Sequence, residues 1–339
     1  MCKRVAIQLF GHLRSFRKTH ESFFKYIVEP QLKNGYEVDI FIHTWNETDH
    51  STITWHNQNG EKRGLSVDQK ILDEVKSIYK PKKILVENQI KVDNFIITEK
   101  IASAPRAFSG VANVAYTQFM SSKIRRAHAE ENNIKYDYVI VTRPDIMFHK
   151  PFDIDNFLYI YNEYNWDIPQ NGLFFAHNFF ARGNVEDRHM IGGSDIIFFG
   201  NEDVINKATN LYTEIHEKTI KPSDIEKDFY CFEVFWYNYW LKQNLEPIRI
   251  KYIQFSYFNI VRNEEEYNRA LLNNELEYKK VYNIKTNAIN NFDENVFFQS
   301  QKERKSKFDK IKREILKILP YCIVHKKINI LNEKIKGCK

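Results

Sequence analysis

Three short apolar runs, each closing on a polar cluster, constrain this chain more than any other feature. Val5–Phe10 leads into Gly11-His12-Leu13-Arg14, Val38–Ile42 into His43-Thr44-Trp45, and Tyr138–Thr142 into Arg143-Pro144-Asp145. Such runs read as buried strands, and Lys83–Glu87 reads as another. Helical patterns fill the intervals. One covers about 15–32. A second covers 66–79, with Ser66 as its N-cap and Pro81 as its stop. The third covers 109–132, where Tyr116, Met120, Ile124 and Ala127 recur at helical spacing. Strands alternating with helices predict an α/β fold, a mostly parallel, Rossmann-like sheet flanked by helices. Sheets of this kind bind ligands beyond the carboxyl ends of their strands, where all three polar clusters fall.

The second half is less regular. Residues 50–64 read as a loop and 174–195 as an aperiodic polar stretch. Asp195–Gly200 follows as a buried strand, then helices over 202–218 and 226–241, then a strand-rich segment over 248–260. The predicted organisation is a ligand-binding α/β half at 1–150, a second half of the same domain at 151–295, and a tail at 296–339.

Charge separates the tail from the body. Residues 302–339 hold 13 of the 50 Lys/Arg and four of the 44 Asp/Glu, leaving 37 basic and 40 acidic groups in residues 1–301. A nearly neutral body argues against nucleic acid as a partner. Phe308, Ile311, Ile315 and Ile318 recur at helical spacing among basic residues, with Pro320 beyond them. This predicts an amphipathic helix suited to an anionic membrane surface. Cys2, Cys231, Cys322 and Cys338 show no metal or disulfide spacing, and no run approaches a membrane span. The expected location is the cytoplasm, peripheral on the inner face of its membrane. No HExxH or HxH pattern marks a histidine metal site.

The strand tips carry the candidate chemistry. A buried strand that delivers a carboxylate can hold a cation bridging two phosphates, so Asp145 is the candidate ligand for Mg2+ or Mn2+. Arg143 beside it can pair with the diphosphate directly, which would dispense with the metal. The plain alternative is a structural Arg–Asp pair closing a turn. Backbone amides after Gly11, with His12 and Arg14, form a second candidate anion site. His43 and Trp45 are candidates to flank a ribose or stack on a base. Arg262 is a late candidate for the diphosphate. Asp195, after Gly192-Gly193-Ser194, and Glu233, in an aromatic-rich helix, are the candidate bases for an acceptor hydroxyl.

The series of a strand ending in Gly11, one ending in His43-Thr44-Trp45, a helix with Gln118 and Ser122, and the Arg143-Pro144-Asp145 strand resembles known bacterial transferases of surface polysaccharides. Asp195–Gly200 and Glu233 extend the likeness. The similar group is the WavE-type lipopolysaccharide-synthesis proteins and related capsule glycosyltransferases, over roughly residues 4–262. The resemblance implies a GT-A-like fold, a nucleotide-sugar donor contacted also by Gln118, and a lipooligosaccharide, capsular or lipid-linked saccharide acceptor. GT-A enzymes usually carry Asp-x-Asp where this chain has Arg143-Pro144-Asp145. Rival functions are transfer of another activated group onto capsule polysaccharide, and non-catalytic carbohydrate binding in the same pathway.

Overall fold

The computed structural model describes residues 3–50, 63–91, 96–98, 105–177, 195–217, 232–254 and 257–272. In chain order the first elements are β1 (Arg4–Phe10), α1 (Phe16–Phe23), a π-helical turn (Phe24–Val28), α2 (Glu29–Lys33), β2 (Glu37–Trp45) and α3 (Gln69–Tyr79). β3 (Lys83–Glu87), β4 (Ile96–Thr98), β5 (Pro105–Ala107), α4 (Phe108–Asn132), β6 (Tyr138–Thr142), β7 (Ile146–Phe148) and α5 (Ile154–Glu163) follow. Then come β8 (Gly172–His177), β9 (Phe198–Gly200), α6 (Glu202–Ala208), α7 (Leu211–His216), α8 (Phe232–Lys242), β10 (Glu246–Ile253), β11 (Phe258–Ile260) and α9 (Glu264–Leu272).

Seven strands form one sheet in the order β10-β8-β9-β6-β1-β2-β3. Neighbours pair in parallel except around β9, which is antiparallel to both β6 and β8. The α/β architecture is as the sequence predicts, but the sheet is mixed. Alternation along the strands explains the layers. Val5, Ile7, Leu9, Ile40 and Ile42 pack with Phe16, Phe23 and Val75 on one face. Ala6, Phe10, Phe41, Val139 and Val141 pack with Val111, Ala112 and Ala115 of α4 on the other. Strands covered on both faces read as unbroken apolar runs, which is why they are visible in the sequence. Each large aliphatic or aromatic side chain buried this way contributes about 1.5–3 kcal/mol.

Several local expectations are corrected. The first helix covers the predicted span but passes through the π-turn, because Pro30 has no N–H for the Tyr26 carbonyl; the Phe152 N–H takes that carbonyl instead, at 2.8 Å. Asp68, not Ser66, caps α3, its side chain accepting from the Ile71 N–H at 2.9 Å. Residues 172–177 form β8 where an aperiodic stretch was expected. The buried strand begins at Phe198 rather than Asp195. The helix expected over 202–218 breaks into α6 and α7. Much of the predicted loop, residues 226–231 of the expected helix, and residues 273–339 with the predicted tail at 296–339 lie outside the described residues.

β1 lies between β2 and β6, so the chain leaves it on opposite sides for its two parallel neighbours. The strand order reverses there, and open α/β sheets place their binding crevice beyond such a point. The antiparallel pair β7–β11 adds a second connection at the same end, bringing residues after Ile260 against those after Thr142. Among the described residues, no helix is long and apolar enough to cross a membrane.

Candidate functional site

The chain leaves β1 through Gly11, whose φ of +95° suits glycine, and Gly11 donates its N–H to Thr117 Oγ1 at 3.0 Å. Arg14 also has a positive φ, +41°. A non-glycine residue there costs about 1–3 kcal/mol and persists where its surroundings fix it. Its N–H is held by the Thr48 carbonyl at 2.7 Å. The guanidinium is fixed as well. Nε donates to Asp49 Oδ1 at 2.6 Å, Nη1 donates to Asp145 Oδ2 at 2.7 Å, and Nη2 lies 3.0 Å from His50 Nδ1.

Asp145, following β6, is fully buried. Arg143 grips it from the other side, with Nε to Oδ1 at 2.8 Å and Nη2 to Oδ2 at 2.6 Å. Helix α1 and the segment after β11 hold the turn. The Thr19 hydroxyl donates to the Pro144 carbonyl at 2.5 Å, and the Val261 N–H donates to the Asp145 carbonyl at 2.8 Å. That last bond carries Arg262 into the cluster, where its own N–H and its Nη1 both reach the Glu266 carboxylate. Burial opposes ionisation of Asp145, but the charges of Arg143 and Arg14 outweigh it and hold the carboxyl below its ordinary range. Burial also lowers Arg262, while the adjacent Glu266 raises it. The site thus gathers three guanidiniums at the switch point of the sheet.

His12 and the β2 tip lie beside this cluster. The Gln89 side chain lies 2.7 Å from His12 Nε2, and the His12 ring lies against His50 and Trp45. Burial, followed by the Arg14 charge, pushes His12 well below its usual value, so the ring is neutral at pH 7. His43 is buried between Thr117 Oγ1 at 2.5 Å and Glu87 Oε2 at 2.9 Å. Burial lowers its pKa to about 4, against the opposing effect of Glu87. Trp45 is buried too, stacked on Tyr116 with ring centroids 5.6 Å apart. His43 and Trp45 therefore back the site from within the core. Tyr116 is only half-buried and donates its hydroxyl to Glu87 at 3.1 Å.

Gln118, expected at the donor, is fully buried as a tie between elements. Its Nε2 donates to the Asp195 carbonyl at 3.0 Å, and its Oε1 accepts from Trp236 Nε1 at 3.2 Å. Asp195 and Glu233 are half-buried. Through Gln118 the Asp195 carbonyl is tied to Trp236, which lies on α8 one helical turn from Glu233. The structure thus brings Arg14, Arg143, Asp145 and Arg262 together with His12 alongside. Gly11, His43 and Trp45 shape the wall. No motif in the sequence marks Asp49, His50, Glu87, Tyr116 or Glu266 as site residues. Glu87 was the most accessible of these, since it ends a predicted strand at the same edge.

His12, Asp49 and His50 each offer a ligand atom within 4.8 Å of the others, a grouping that could hold a metal ion. Arg14 contacts two of these three side chains. No protein-family model matches the chain, and no curated protein sequence matches it.

Proposed function

We propose that this chain is a GT-A-like glycosyltransferase that moves a sugar from a nucleoside diphosphate to a lipooligosaccharide or capsular acceptor. The observation that carries the reading is the convergence of Arg14, Arg143 and Arg262 on Asp145 at the switch point of the sheet. Guanidiniums held in place before the reaction stabilise negative charge where it develops, here on a departing diphosphate. In the transfer, an acceptor hydroxyl oxygen bonds to the anomeric carbon as the bond from that carbon to the diphosphate oxygen breaks. Asp195 or Glu233 takes the hydroxyl proton. The half-buried Tyr116, backed by Trp45 and tied to Glu87, offers an aromatic surface for the rest of the donor. The basic segment 302–339 would place the enzyme on the inner membrane face near a lipid-linked acceptor.

Thermal-shift screening against UDP, GDP, CDP and CMP tests the reading, because a ligand that binds only the folded state raises its stability. One nucleoside diphosphate should raise the melting temperature, and the rise should vanish in Arg143→Ala. No shift with any of the four contradicts a nucleotide donor.

A further inference from the structure

We propose that the donor diphosphate is met by Arg143 and Arg262 directly, with Arg14 as the resident cation of the site in place of a bridging divalent metal. The inference rests on the donor reading above and deepens it. A GT-A-like fold implies a metal held by the strand-tip carboxylate, and the residues present do not fit that role. Asp145 is fully buried, and its two oxygens accept three N–H bonds from Arg14 and Arg143. A hard cation needs carboxylate oxygens directed at it, with room for further oxygen ligands. The carboxylate tip here offers neither.

The other candidate ligands are engaged by the same guanidinium. Arg14 Nε lies on Asp49 Oδ1, a contact also made by the His50 N–H at 2.9 Å, and Arg14 Nη2 lies against His50 Nδ1. A metal joining His12, Asp49 and His50 would sit next to a permanent positive charge that already satisfies two of them. Arg14 cannot leave easily, because its backbone is pinned to Thr48 and its Nη1 to Asp145.

The remaining arginines have hydrogen-bonding edges to spare. Among the described residues, no acceptor is bonded to Arg143 Nη1, or to Arg262 Nε and Nη2. Both side chains keep a small exposed fraction, 14% and 19%. They are close enough for the Arg143 charge to lower Arg262. Two neighbouring like charges with N–H groups to spare suit a doubly charged anion, and guanidiniums pair with phosphate oxygens in a forked geometry. Asp145 is thus the positioning residue that aims the arginines, and the phosphate oxygens are the ligands they are aimed at.

Calorimetric titration with inorganic pyrophosphate, in EDTA and again with Mn2+ in place of EDTA, tests this. The inference expects binding in EDTA, with a Kd that Mn2+ tightens by less than about threefold. It expects Arg262→Gln to weaken that binding by about tenfold or more, the scale of a charged hydrogen bond. Arg262→Lys, which keeps the charge and protects the fold, should weaken it by a smaller factor. Binding seen only with Mn2+, or wild-type affinity in a folded Arg262→Gln, overturns the inference and leaves the donor reading standing. Absence of binding in both buffers overturns the donor reading itself.

Discussion

Asp145→Asn replaces one oxygen with an amide of nearly the same size, so it opens no cavity and isolates the electrostatics. In the native site the carboxylate accepts three N–H bonds from two guanidiniums, at 2.6–2.8 Å, with no exposed surface. The variant removes the negative charge between two buried positive ones and turns an N–H donor towards them. Removing one partner of a buried ion pair costs about 3–5 kcal/mol. At about 2–4 °C per kcal/mol for a domain of this class, the melting temperature should fall by roughly 10 °C. Scanning calorimetry at pH 7 measures this directly. Because the pair is out of water, raising NaCl to about 0.5 M should change the loss little. A double-mutant cycle with Arg143→Ala should show strong coupling, since each change removes the same bonds. A fall under about 3 °C, or one that salt erases, would refute this reasoning. It would show a carboxylate that water already reaches.

Acid should weaken the fold through His43. His43 is held neutral to about pH 4 by burial while its unfolded value stays near 6.5. The unfolded chain therefore binds the extra proton first as pH falls, and stability drops by about 2 kcal/mol between pH 7 and 5 from this residue alone. Urea unfolding at the two pH values should show that drop, and His43→Gln should reduce it; an unchanged drop in the variant would assign it elsewhere. At Gly64 an added Cβ would fall against the Asp49 backbone, closer than atoms pack. Gly64→Ala should therefore cost about 1–3 kcal/mol and loosen the Asp49–Arg14 pair, seen as a lower melting temperature and weaker pyrophosphate binding. Deleting residues 302–339 should abolish sedimentation with anionic liposomes at low salt while sparing activity on a soluble acceptor analogue; liposome binding by the truncated protein would assign the membrane contact to the body.

The parts of the fold that were legible in the sequence are those whose causes are local. β1, β2 and β6 are apolar because both faces are covered, and Arg14, Arg143 and Asp145 stand out because they follow such runs. Along β2, Phe41, His43 and Trp45 share a parity, and the structure places that face against α4. What stayed hidden depends on distant partners. Asp49 is 35 positions from Arg14, and Arg14 is 131 from Asp145. The three-residue strand β7 is too short to show a period, and its pairing with β11, which brings Arg262 to the cluster, joins residues more than a hundred positions apart. Ser66 and Asp68 are both good caps by type, and only the Asp68 bond to Ile71 decides between them.

Release of nucleoside diphosphate from a panel of nucleotide-sugars, followed without acceptor, tests the central claim most directly. The wild-type protein should slowly hydrolyse one donor, in EDTA as well as with Mn2+. Arg143→Ala, with donor saturating, should lower the rate at least about a hundredfold, the scale of one lost transition-state contact. A folded wild type that releases no nucleotide from any donor, or an Arg143→Ala variant that releases it at the wild-type rate, would contradict the account.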